Sequence, residues 1–101
     1  MRILLAVSTL LLLTACSFVK LTAAGENVAV LQLSEVSSCT QTGSTTVSVV
    51  NKVVVNRSPD KVALELRSLA RNRAAERGDT IVAMTPVTDG EQTFNIYRCR
   101  N

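Results

Sequence analysis

Three thiols, Cys16, Cys39 and Cys99, have the widest chemical scope of any side chains in this 101-residue chain, and no histidine accompanies them. A thiolate can attack an electrophile, ligate a soft metal or join a second thiol. The first two uses need partners that are scarce here. Without histidine the chain lacks the commonest general base for a nucleophilic Ser or Cys, and the commonest protein metal ligand as well. The Asp and Glu residues form no close pair in sequence that would divide acid and base roles. The expectation is a protein that is not an enzyme, with no catalytic residues, no metal and no cofactor.

Cys16 stands apart because of what precedes it. Met1-Arg2 carries a positive charge, Ile3 to Leu13 is apolar except for Ser8 and Thr9, and Thr14-Ala15 are small. This is the plan of a secretory signal peptide. The apolar run is well short of the roughly 20 residues that span a bilayer as a helix. Leu13-Thr14-Ala15-Cys16 resembles the lipobox of bacterial lipoproteins. The resemblance implies removal of residues 1–15, a diacylglycerol thioether on Cys16 and acylation, as with palmitate, of the new amino group. Several acyl chains, at about 0.8 kcal/mol per buried methylene, would hold the chain stably at a membrane. By likeness to proteobacterial sorting patterns, Ser17 rather than Asp after the cysteine points to the outer membrane, with the chain facing the periplasm.

With Cys16 assigned to lipid, Cys39 and Cys99 form the one remaining pair. An oxidising compartment favours a disulfide between them over two separate buried thiols, or over a redox-active pair that would call for a C-x-x-C motif. Closing a loop of about 60 residues would contribute on the order of 4 kcal/mol, which a domain this small needs. The net charge is +3 and falls by one if Arg2 leaves with the leader. Positive side chains are interspersed with Asp60, Glu65, Glu76 and Asp79, and the aromatics are only Phe18, Phe94 and Tyr97. Neither a basic stripe nor a stacking platform results, so no nucleic-acid partner is expected.

The elements that position these residues make an α+β domain over 27–101, with 16–26 as a lipidated tether. Asn27 to Leu33 has the β-branched and apolar content of a first strand. Cys39 to Val55 is one long strand or two strands with a turn at Asn51-Lys52, and Val47, Val49, Val53 and Val55 share a face at period two. Those valines belong either to a buried strand or to an edge open to a partner. Ser58 is a natural N-cap, Pro59 fits the first helical position, and Asp60 suits the helix dipole. Gly78 suits a left-handed residue after the helix end. Val62, Leu66, Leu69, Ala70 and Ala74 recur at helical spacing and should pack on a sheet. Thr80 to Thr85, a turn at Asp89-Gly90 and Thr93 to Cys99 make a hairpin. The architecture expected is two-layer: one amphipathic helix on a mostly antiparallel sheet of about four strands, with one disulfide. Arg67, Arg71 and Arg73 cover much of the remaining helix surface and form either a candidate partner-binding face or a solvated face. Asn72 lies about 40° from the apolar seam and should be partly buried and hydrogen-bonded to backbone.

From Val28 to Cys99 the chain resembles a family of small proteobacterial outer-membrane lipoproteins with a domain of unknown function. The likeness rests on Cys39 with Gly43, on the segment from Ala70-Arg71-Asn72 to Gly78-Asp79-Thr80, and on the closing Tyr97-Arg98-Cys99. Asp79-Thr80 stands where that family more commonly has Ala-Asn, and Thr42-Gly43 where it has Leu-Gly. A more distant likeness is to RcsF, the lipoprotein sensor of envelope stress, although the long proline-rich linker and larger cysteine set of that sensor are missing here. The resemblances imply a fold and a location. The function expected is that of a lipid-anchored structural or interaction lipoprotein touching another envelope protein or peptidoglycan, with stress sensing as one setting. The alternative is a lipid-anchored small-ligand binder or an enzyme with a non-histidine site.

Overall fold

A computed structural model describes residues 20–49 and 58–100. In chain order the elements are a short helix α1 (Ala23–Glu26), strand β1 (Ala29–Leu31), a 3-10 turn (Leu33–Glu35), strand β2 (Thr40–Ser48), helix α2 (Pro59–Ala74), and strands β3 (Thr80–Ala83) and β4 (Glu91–Arg98). The leader, Cys16, and the expected Asn51-Lys52 turn with Val53 and Val55 lie outside the described residues.

Helix α2 begins as its local chemistry dictates. Ser58 has extended backbone and its Oγ accepts from the Lys61 N–H at 3.2 Å, with Pro59 at the first helical position and Asp60 in the first turn. The end of α2 differs from expectation. The helix closes at Ala74, and the Arg77 and Gly78 amides both turn back onto the Ala74 carbonyl at 2.8 and 2.9 Å. Gly78 is not left-handed. It is glycine because the chain crosses β4 so closely there that a Cβ would strike the Tyr97 carbonyl oxygen and stand 3.0 Å from Ile96 Cγ2.

The hairpin forms as expected. Asp89 and Gly90 both have positive φ, 52° and 72°, and Thr88 and Glu91 exchange two backbone hydrogen bonds of 3.0 Å, the pattern of a two-residue type I′ turn. Beyond Ala83 backbone and side chain share the ladder: the Met84 N–H donates to the Thr93 carbonyl at 2.9 Å, and Thr85 Oγ1 accepts from the Thr93 N–H at 3.0 Å. The sheet order is β1-β3-β4-β2. Strand β4 is central, antiparallel to both β3 and β2, while β1 runs parallel to β3.

Both faces of this sheet carry apolar residues. On one face Leu66, Ala70 and Ala74 of α2 are fully buried against Val28, Val47, Ile81, Phe94 and Ile96, with Val62 and Leu69 partly buried beside them. On the other, Val36, Val82 and Tyr97 form a smaller cluster flanked by Leu31 and Cys39. A bulge lets β2 serve both. The register slips between Gln41 and Gly43, which leaves Thr42 as the extra residue, its hydroxyl donating to the Ile96 carbonyl at 3.3 Å. Odd-numbered Cys39 therefore faces the Tyr97 cluster, whereas odd-numbered Val47 faces α2.

Cys39 and Cys99 are joined by a disulfide, with Cα atoms 4.5 Å apart, one step beyond the last ladder pair Thr40↔Arg98. The link pins the start of an edge strand to the end of the central one. Replacing both cysteines with alanine should lower the stability of the folded chain by about 3–4 kcal/mol in urea titration, with reductant causing a similar loss in the wild type only.

Candidate functional site

The charged side chains of α2 divide around the helix instead of sharing one face. Successive residues are separated by 100°, so Arg71 and Arg73 point to nearly opposite sides. Arg71 reaches the N-terminal segment, where its Nε donates to the Val28 carbonyl at 3.0 Å and its Nη2 to the Glu26 carbonyl at 3.2 Å. Arg73 reaches β2, its Nη1 donating to the Thr46 carbonyl at 3.2 Å. Arg67, half-buried, lies one turn before Arg71 on the same stripe. The single face expected of Arg67, Arg71 and Arg73 is thereby corrected. Arg71 is a structural clamp, and Arg73 belongs to a different surface.

Asn72 takes the backbone partners expected of it, and they come from a part of the chain expected to be tether. Its Oδ1 accepts from the Thr22 N–H at 2.9 Å and from the Thr22 hydroxyl at 3.1 Å, while its Nδ2 donates to the Lys20 carbonyl at 2.9 Å. Thr22 Oγ1 in turn caps α1 by accepting from the Gly25 N–H at 2.9 Å. Gly25 is glycine because a Cβ there would strike Asn72 Oδ1. Residues from Lys20 onward are thus docked on α2, so the folded body begins earlier than Asn27.

The surface that Arg73 joins contains two residues not singled out from sequence. The Arg77 guanidinium lies over Gly43 of β2, where a Cβ would come within 2.7 Å of Nη1. Arg98, on the helix-facing side of β4 and opposite Thr40, donates from Nη2 to the Arg77 carbonyl at 2.6 Å. Arg73 and Arg77 therefore lie along β2, and Arg98, on the neighbouring strand β4, joins them through the Arg77 carbonyl. Among the described residues none of the three is in an ion pair. A cleft of about 320 Å³ opens between Arg73, Arg77 and the sheet, lined by Ser44, Thr45, Arg73, Glu76, Arg77 and Ile96. Glu76 is the one carboxylate in that lining. The four-residue spacing of Arg73 and Arg77 hinted in sequence at a shared side, although the helix closes at Ala74 and Arg77 lies in the turn after it. Nothing local marked Arg98 as their neighbour.

A second basic corner has its donors committed to the fold. Asp79 Oδ1 accepts from the Cys99 N–H and the Thr80 hydroxyl, and Oδ2 from the Arg100 N–H, each at 2.9 Å. Arg100 Nη2 donates to the Asn27 carbonyl at 2.7 Å, and its Nε lies 3.7 Å from Asp79 Oδ2. Partial desolvation opposes the Asp79 charge. The hydrogen bonds from Cys99, Arg100 and Thr80, with the nearby Arg100 charge, outweigh it and hold the carboxyl below its ordinary value. This latch sits beside the disulfide, so its role is to hold the residues that follow β4. Among the described residues no group of three or more His, Cys, Asp or Glu could hold a metal ion, and no helix is long and apolar enough to cross a membrane.

Two outcomes follow. Asn72→Ala should release residues 20–26, seen as loss of amide-exchange protection at Gly25 and Glu26 and about 1–2 kcal/mol of stability, whereas Arg67→Ala should change stability by less than about 0.5 kcal/mol. Because the folded Asp79 carboxyl is the more acidic form, its contribution is present near neutral pH and is lost as pH falls below about 4 through its lowered value. Asp79→Asn should therefore destabilise at pH 7 and flatten the acid limb of stability against pH in denaturant titrations.

Comparison with curated proteins and with solved structures returned no match. The family model described as domain of unknown function, DUF4156, matches residues 19–99, a span that begins beside the Lys20 carbonyl held by Asn72 and ends on the disulfide cysteine. The chain belongs to the DUF4156 family.

Proposed function

We propose that this chain is a lipid-anchored, non-enzymatic interaction protein of the bacterial outer membrane, facing the periplasm and contacting another envelope component through the margin shared by α2 and β2. The observation that carries this reading is the group of Arg73 and Arg77 beside an edge strand, joined by Arg98 from the next strand, with no ion-pair partner among the described residues. Arginine is suited to carboxylate and phosphate recognition because its planar fork keeps two donors parallel. The groups around that margin suit recognition more than turnover, since the one carboxylate in the cleft lies among guanidiniums with no second acid or base beside it.

The address rests on other observations. The lipobox-like Leu13-Thr14-Ala15-Cys16 follows a secretory leader, and the Cys39–Cys99 disulfide is of a kind that persists in oxidising compartments. The distant likeness to the envelope-stress sensor supplies one setting for such a contact, that of a component reporting on the envelope, and rests on sequence resemblance alone.

In cells fed labelled palmitate, the wild-type chain should carry label and fractionate with outer membrane, and Cys16→Ala should lose both properties. A photo-crosslinking residue at position 77 should yield an adduct with another envelope component. A residue at position 64, on the opposite and exposed part of α2, should yield much less. Equal yields from the two sites, or none from position 77, would count against the α2–β2 margin.

A further inference from the structure

We infer that the outer edge of β2 accepts an extended, acidic segment of a partner protein as an additional strand. The inference deepens the proposed interaction surface and rests on that reading.

The edge is open and poorly guarded. Strand β2 ends the sheet order, and among the described residues no strand pairs with its outer side. Its Val49 neighbour donates its N–H to the Gly90 carbonyl at 3.0 Å, which sets the alternation of the antiparallel ladder. Beyond the bulge, odd-numbered residues direct their backbone groups to β4, and Ser44, Thr46 and Ser48 direct theirs outward. The Thr46 and Thr93 hydroxyls, 2.8 Å apart, fit the close approach of a pair without mutual backbone bonds. Exposed edges are normally blunted by charge, proline or shortness. Strand β2 has nine residues, with neither charge nor proline among them.

Charge selects the occupant. Arg73 and Arg77 stand alongside Thr46 and Gly43 on the helix-facing side, with Arg98 behind them on β4, so an added strand would present alternate side chains to Arg73 and Arg77. A second copy of this chain would bring another set of the same arginines to the junction, and like charges there oppose self-pairing. Acidic side chains complement these arginines. As the strand docks, Arg73 exchanges the Thr46 carbonyl for a carboxylate, and that carbonyl becomes free to accept an N–H from the incoming backbone.

The test uses the full chain, purified oxidised in detergent, and a fluorescent heptapeptide of alternating Glu and Val followed by anisotropy. Binding is expected, weakened at least about tenfold in the Arg73→Ala/Arg77→Ala variant and also by N-methylation of alternate peptide nitrogens. Absence of binding by the unmethylated peptide overturns the proposal. Equal binding of the methylated peptide overturns it too, because the arginines would then be an anion patch with no strand addition. Stronger binding by the arginine variant likewise overturns it, since the arginines would then be guards of the edge. Crosslinks from position 77 in cells, together with failure of the peptide, would keep the interaction surface and remove only the added strand.

Discussion

The covalent link between Cys39 and Cys99 acts where this fold is weakest. Helix α2 covers one face of the sheet and buries Phe94, Ile96 and Ile81, but among the described residues the opposite face has the smaller cluster of Val36, Val82 and Tyr97, flanked by Leu31 and Cys39. That smaller cluster could not by itself fix an outer strand bonded along only one side. The disulfide joins the first residue before β2 to the first residue after β4, and the ladder runs from there through the bulge at Thr42. The position of Val47 under α2, and with it the outward aim of Ser44 and Thr46, depends on that starting point. Asp79 reinforces it by holding the Cys99 and Arg100 amides.

Features encoded within a few neighbouring residues were legible in the sequence. Ser58-Pro59-Asp60 announced a helix start, Asp89-Gly90 a tight hairpin turn, and the pair of thiols left after Cys16 a disulfide. Features that depend on two distant segments meeting were not. Gly78 looks like a helix stop from either side in sequence, and only the crossing of β4 reveals that its missing Cβ makes room for a carbonyl. The parallel pairing of β1 with β3 spans the whole of β2 and α2 and has no local signature. The arginine group was half legible: Arg73 and Arg77 are four residues apart across the helix end, but Arg98 joins them through a strand more than twenty residues away.

Arginine has two distinct roles in this molecule. Arg71 and Arg100 direct their guanidiniums to backbone carbonyls of Glu26, Asn27 and Val28, where the chain leaves α1 with acceptors that no strand or helix satisfies. These side chains are parts of the fold in spite of their charge. Arg73 and Arg98 also touch carbonyls, but at the rim of the sheet, where water or a partner can compete for them. A positive charge count cannot separate these uses. The separation comes from which carbonyls the helix and strands leave unmatched.

The Asn72 clip has a mechanical consequence. By gripping Lys20 and Thr22, it sets a fixed point of the body four residues after Cys16. Four residues of chain reach at most about 14 Å. If acyl chains hold Cys16 at the membrane as proposed, the body rides close against the headgroups with a small radius of excursion. It would then be a stationary post, met by components that come to the membrane surface or already reside there, and the side of α2 nearest Lys20 would be turned to the lipid.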